Sequence, residues 1–112
     1  MMIKKLVTIT ALAMLLGSPN SHASVSAVTG NELVEYCDTP EDGLLIGYCH
    51  GFVNGVSNLA VTAALVCPPG GVTEEQLVNI VRKSMKENPE MLHLNAVGLV
   101  TFAISKVFPC SE

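Results

Sequence analysis

The sequence predicts an all-α protein: a small four-helix bundle, stapled by disulfides, that follows an N-terminal signal peptide. Three observations predict it. Apolar residues recur at helical spacing in stretches bounded by caps and stops, with no strand alternation, internal repeat or low-complexity segment. Four cysteines, an even number, lie beyond an export signal, which in an oxidising compartment implies disulfides. The stretch Leu44–Val66 carries no Asp, Glu, Lys or Arg, yet is polar along one side. That fits the central helix of a bundle better than a lipid-facing span, which is apolar all round.

Residues 1–23 read as a secretory signal. Lys4 and Lys5 form a positive start, Leu6–Leu16 a short apolar core, and Ser21-His22-Ala23 a small-x-small cleavage site. The core is too short to span a bilayer. The site offers no cysteine for lipidation. Residues 24–112 then form one helical domain, small enough that its apolar core benefits from staples.

Within that domain, Thr29-x-x-Glu32 is a capping box that opens a first helix through Leu33, Val34, Tyr36 and Cys37. Asp38–Gly43 is a turn. The central helix follows, with Leu45, Cys49, Phe52, Val53, Val56, Ala60 and Ala63 on its apolar side at ~100° per residue. His50, Asn54, Ser57 and Asn58 fall opposite, beside Gly47, Gly51 and Gly55. A glycine costs about 1 kcal/mol against alanine inside a helix, so three on one stripe predict the close approach of a neighbouring helix or a second subunit. Cys67-Pro68-Pro69-Gly70-Gly71 stops this helix. Thr73-x-x-Gln76 caps a third, with Leu77, Ile80, Val81 and Met85 as its buried stripe and Pro89 beyond its end. Asn95 caps a fourth, in which Leu99, Phe102, Ala103 and Val107 recur at helical spacing before Phe108-Pro109-Cys110.

Short connections make successive helices antiparallel. Cys37 ends the first helix and Cys49 lies near the start of the second, at the same end of the bundle. Cys67 and Cys110 follow the second and fourth helices at the other end. The predicted bridges are Cys37–Cys49 and Cys67–Cys110. A metal site is not predicted, because no C-x-x-C or H-x-x-H spacing occurs.

Composition narrows the function. Without Lys4 and Lys5 the chain has four basic residues against ten acidic ones, a net charge of −6. With no basic cluster and only two Tyr and three Phe, nucleic-acid binding is disfavoured. Such a surface suits a basic protein partner. Catalytic constellations are absent from the pattern. Ser57 lies seven residues from His50, about 10 Å along a helix axis. His93 sits between helices, in Met91-Leu92-His93-Leu94. The pairs Glu41/Asp42 and Glu74/Glu75 are sequence neighbours, which do not face each other on a helix. Pro68-Pro69-Gly70-Gly71 lacks the Lys of a phosphate loop. No enzyme activity and no cofactor are expected.

A protein without a reactive group can still inhibit by occlusion, which makes its surface features the candidate sites. Pro89, Glu90, Met91, Leu92 and His93 form a Pro-stiffened segment that could plug a cleft, or whose Met–Leu pair could instead pack back on the core. His50, Gly51, Asn54, Gly55 and Asn58 form the candidate dimer or partner face.

Several motifs together resemble a known family. They are Thr29-Gly30-Asn31-Glu32-Leu33 before Tyr36-Cys37, Gly47-Tyr48-Cys49-His50-Gly51-Phe52-Val53-Asn54-Gly55, Cys67-Pro68-Pro69-Gly70-Gly71-Val72-Thr73, Asn88-Pro89-Glu90 with His93-Leu94, and the closing Phe108-Pro109-Cys110. The chain resembles the Rap/Tai immunity proteins, which protect bacteria from type VI secretion amidase effectors. Asn95-Ala96-Val97-Gly98 departs from the family's more polar helix start. The resemblance implies a periplasmic, disulfide-stapled protein, often a homodimer, that covers the cleft of a cell-wall amidase effector. The family fold is similar to that of HdeA-like acid chaperones. An acid-stress chaperone, or a stand-alone binding protein, is therefore the alternative expectation. No membrane association is expected once the signal is removed.

Overall fold

Residues 26–111 are described by a computed structural model; the predicted signal peptide lies outside the described residues. Four α-helices follow in order: α1 (Gly30–Cys37), α2 (Gly43–Thr62), α3 (Glu74–Glu87) and α4 (Ala96–Val107), with a 3-10 turn at Pro89–Met91. The described residues form no strand, only an isolated bridge between Thr29 and Asn95. The fold is an all-α bundle.

Local sequence starts each helix. Glu32 N–H donates to the Thr29 hydroxyl and Thr29 N–H to the Glu32 carboxylate, at 3.4 and 2.8 Å. Thr73 and Gln76 repeat the arrangement at 3.1 and 2.7 Å. The Asp42 carboxylate accepts from the N–H groups of Leu44 and Leu45, and the Asn95 amide oxygen from Val97 N–H. Each side chain satisfies donors that a helix start leaves without internal partners. The first turn of α4 is formed despite its weakly polar sequence.

The end of α2 departs from expectation. The helix stops at Thr62, before the Cys67-Pro68 signal. Ala64 N–H donates to Val61 C=O and Leu65 N–H to Ala60 C=O, with Ala64 at φ 58°. This is a Schellman end with alanine at the left-handed position usually held by glycine. The early stop leaves Ala63, expected on the apolar face, exposed. It also turns Val66 into the core at 1% exposure.

The core is built from Leu33 and Cys37 of α1, Cys49, Val53 and Ala60 of α2, Leu77, Val78, Val81 and Met85 of α3, and Ala96, Val100, Ala103 and Ile104 of α4, together with Val66. Two expectations for α4 are corrected. Val107 is 51% exposed and Phe102 only half-buried. The buried stripe of α4 is centred one residue further along, on Val100 and Ile104, so Phe102 sits at its margin and Val107 at the helix end on the seam with α3. The disulfides are Cys37–Cys49, joining the end of α1 to the second turn of α2, and Cys67–Cys110, joining the chain after α2 to the chain after α4. The second junction is reinforced by Cys67 N–H donating to Phe108 C=O at 2.9 Å.

Candidate partner-binding surfaces

Two surfaces hold the side chains singled out in the sequence. The first is the segment after α3. Pro89 opens a 3-10 turn, in which Met91 N–H donates to Asn88 C=O and Leu92 N–H to Pro89 C=O. The chain then lies against the start of α1: Gly30 N–H donates to Leu94 C=O and Asn31 N–H to Leu92 C=O, at 3.0 and 2.8 Å. Ala96 N–H donates to Val28 C=O on the other side of the Thr29–Asn95 bridge. Gly30 is required here. A Cβ on it would stand 2.5 Å from a Leu99 methyl and 2.8 Å from the Leu92 carbonyl oxygen.

Met91 and Leu92 lie in this anchored segment. Both are half-buried, and Leu92 packs against the core. Pro89, Glu90 and His93 are exposed, and so is Leu94, at 43%. Met91, Leu94, Gly98, Leu99 and Phe102 line a shallow apolar groove of about 330 Å³. Leu94 and the groove were missed in the sequence. Their signal was the pair Leu94/Gly98, which brackets the helix start with a large and a small residue.

The second surface is the outer side of α2. Cys49, Val53, Ser57 and Ala60 face inward. Ser57, expected on the polar side, is buried at the edge of this stripe, where its hydroxyl donates to the Val53 carbonyl at 2.6 Å. It is thereby unavailable to His50. His50 turns toward α3 instead, with Nδ1 3.4 Å from a Glu74 carboxylate oxygen. Asn58 is exposed and donates its amide to the Asn54 carbonyl.

The close approach of a neighbouring helix, one of the two explanations predicted from the glycines, is absent among the described residues. A Cβ at Gly47, Gly51 or Gly55 would meet no atom within 4 Å. The stripe is turned away from α1, α3 and α4, which take the opposite side of α2. Gly51 and Gly55 instead belong to a second apolar line on the solvent side, with Leu44 (82% exposed), Tyr48 and Leu59 (67% exposed). Its spacing of four, three, four and four was readable in the sequence but was masked by the adjacent inward stripe. Tyr48 is held by an edge contact with Tyr36 at 4.8 Å and by stacking on Phe52 at 6.1 Å. Alone among the described helices, α2 is long and apolar enough to cross a membrane. In this fold it packs on the other three helices and is tied to α1 through Cys49.

The described residues contain no group of three or more His, Cys, Asp or Glu placed to hold a metal ion, and no free cysteine. Glu32 is held below the usual glutamate range, first by the Thr29 backbone N–H and then by its hydroxyl.

No curated protein and no solved structure matches the chain. A protein family does: the Rap1a immunity proteins, over residues 29–110. That span begins at the Thr29 cap, takes in all four helices and both disulfides, and ends at Cys110. The chain belongs to the Rap1a immunity protein family.

Proposed function

We propose that this chain is a periplasmic immunity protein that binds a type VI secretion peptidoglycan amidase effector and occludes its cleft, without chemistry of its own. The observation that carries the reading is the family match across the whole described bundle. Family immunity proteins act against effectors, and the two disulfides suit an oxidising compartment.

The segment Pro89–His93, with Leu94 and the groove beside it, is the effector-facing surface. Its backbone is already tied down by hydrogen bonds to α1, so docking would cost little ordering entropy. The outer line of α2 is the homodimer contact, since glycines with open space above them let a second backbone approach closely. The test mixes the mature protein with the amidase encoded beside it and measures complex formation and peptidoglycan hydrolysis. A stable complex with loss of hydrolysis is expected, weakened by Leu94→Glu. Neither complex nor inhibition would reject the pairing.

The same exposed line on α2 favours one second reading, an acid-stress chaperone that separates into subunits at about pH 3 and uncovers apolar surface. Suppression of client aggregation at that pH, in the absence of any effector binding, would select it.

A further inference from the structure

The four basic residues among the described residues, Arg82, Lys83, Lys86 and Lys106, all lie in the C-terminal halves of α3 and α4. The acidic residues gather mainly elsewhere: on α1, in the α1–α2 turn and at the start of α3. Lys86 and Lys106 occupy last helical turns, where a cation complements the helix dipole. That does not account for Lys83, a turn earlier. Arg82 is engaged with Asp38 at 3.1 Å. Lys83 and Lys106 both border an open cavity of about 490 Å³ in the α3/α4 seam, lined by Ile80, Ala103 and Val107 and by the polar side chains of Ser84 and Asn88.

Lys106 is braced over the Phe102 ring, its ammonium 5.0 Å from the ring centre. Glu87 is the one carboxylate lining the cavity, and its contact with Lys83 is long, at 3.9 Å, between exposed groups. A pair of that kind is weak and exchanges readily for another carboxylate. An apolar floor between two available cations complements an extended segment whose acidic side chains flank an apolar one.

We infer that the α3/α4 groove is a docking site for an acidic–apolar peptide segment of a partner protein. Lys83 and Lys106 receive its carboxylates, and Ile80, Ala103 and Val107 receive its apolar side chain. The site is distinct from the Pro89–His93 segment and from the α2 face, and it does not rest on the effector reading.

The experiment titrates isotope-labelled mature protein, disulfides intact, with the blocked peptide acetyl-Glu-Ser-Val-Ser-Glu-amide, whose two carboxylates share one face with the Val side chain when it is extended, and in parallel with its Gln-for-Glu counterpart and with succinate. Saturable amide shifts at Ile80, Ser84 and Ala103 are expected with the acidic peptide alone. Lys83→Glu with Lys106→Glu should weaken binding at least roughly tenfold, and Glu87→Gln should strengthen it, as charge complementarity requires. All three substitutions are at exposed positions, and retention of the fold is read from the rest of the same spectra. No saturable shift, an equal response to the Gln peptide or succinate, or indifference to the double charge reversal would overturn the inference. So would concentration-dependent self-association that the double reversal abolishes, because the occupant would then be a second copy.

Discussion

Replacing Gly51 and Gly55 of α2 together by alanine tests the reading of the outer helix face. Both lie in the helix interior and are exposed, and neither would push a new Cβ within 4 Å of another atom. Each substitution removes a backbone-entropy penalty of about 0.5–1 kcal/mol. The two positions are neighbours one turn apart, so the double substitution itself has to be measured; the sum of the single effects sets the expected gain of the monomer at about 1–2 kcal/mol. For a domain of this size, about 1 kcal/mol moves Tm by 4–8 °C. The gain is read by urea unfolding at protein concentrations where sedimentation shows only monomer. If the stripe seats a second copy, the same two methyl groups hold the helices apart, and the dimer dissociation constant should rise by at least about tenfold, or 1.4 kcal/mol. A destabilised monomer would refute the open space above the stripe. A stabilised monomer with an unchanged dimer would refute its use as the interface.

Further outcomes follow from single features of the fold. Breaking Cys67–Cys110, which closes the longer loop (sequence separation 43), with paired alanines should cost about 4 kcal/mol; breaking Cys37–Cys49 (separation 12) should cost about 3 by loop-closure entropy, though burial adds to the second in denaturant titrations. Gly30→Ala should destabilise by about 1–3 kcal/mol or more, since its Cβ meets the Leu92 carbonyl and a Leu99 methyl, and amide exchange at Leu94 and Ala96 should accelerate with it. Ala64→Gly should stabilise by about 1 kcal/mol in thermal unfolding, because φ 58° is strained for alanine and free for glycine. The folded-state pKa of Glu32 is depressed, so its contribution is present above the unfolded value and is lost as pH falls through the folded one. Glu32→Gln should therefore lower stability in the neutral region, and the difference from the unsubstituted protein should vanish as pH falls through the folded-state value, which flattens the acid limb of the stability–pH curve.

Much of the bundle was legible because the signals that make it are short-ranged. Thr29 with Glu32, Thr73 with Gln76, and Asn95 are caps whose partners lie two or three residues away, and the structure uses each of them. Apolar spacing identified four helices, and their antiparallel order puts Cys37 beside Cys49 and Cys67 beside Cys110. The segment around Met91 was only half legible: a proline signalled the turn, but nothing local said that the Leu92 and Leu94 carbonyls would accept from the start of α1.

By itself, then, the sequence determined the helix count and the capped starts of α1, α3 and α4, which depend on neighbours along the chain. Tertiary structure alone decided that α2 stops at Thr62 rather than at Cys67, that Ser57 turns inward and His50 toward Glu74, and that Gly47, Gly51 and Gly55 face open space. It also decided that Lys83 and Lys106 border one groove. These outcomes depend on which helix covers which side of α2. That is set by burying Leu33, Val53, Val81, Val100 and Ile104 against one another, contacts whose members stand far apart in the chain and leave no periodic trace in it.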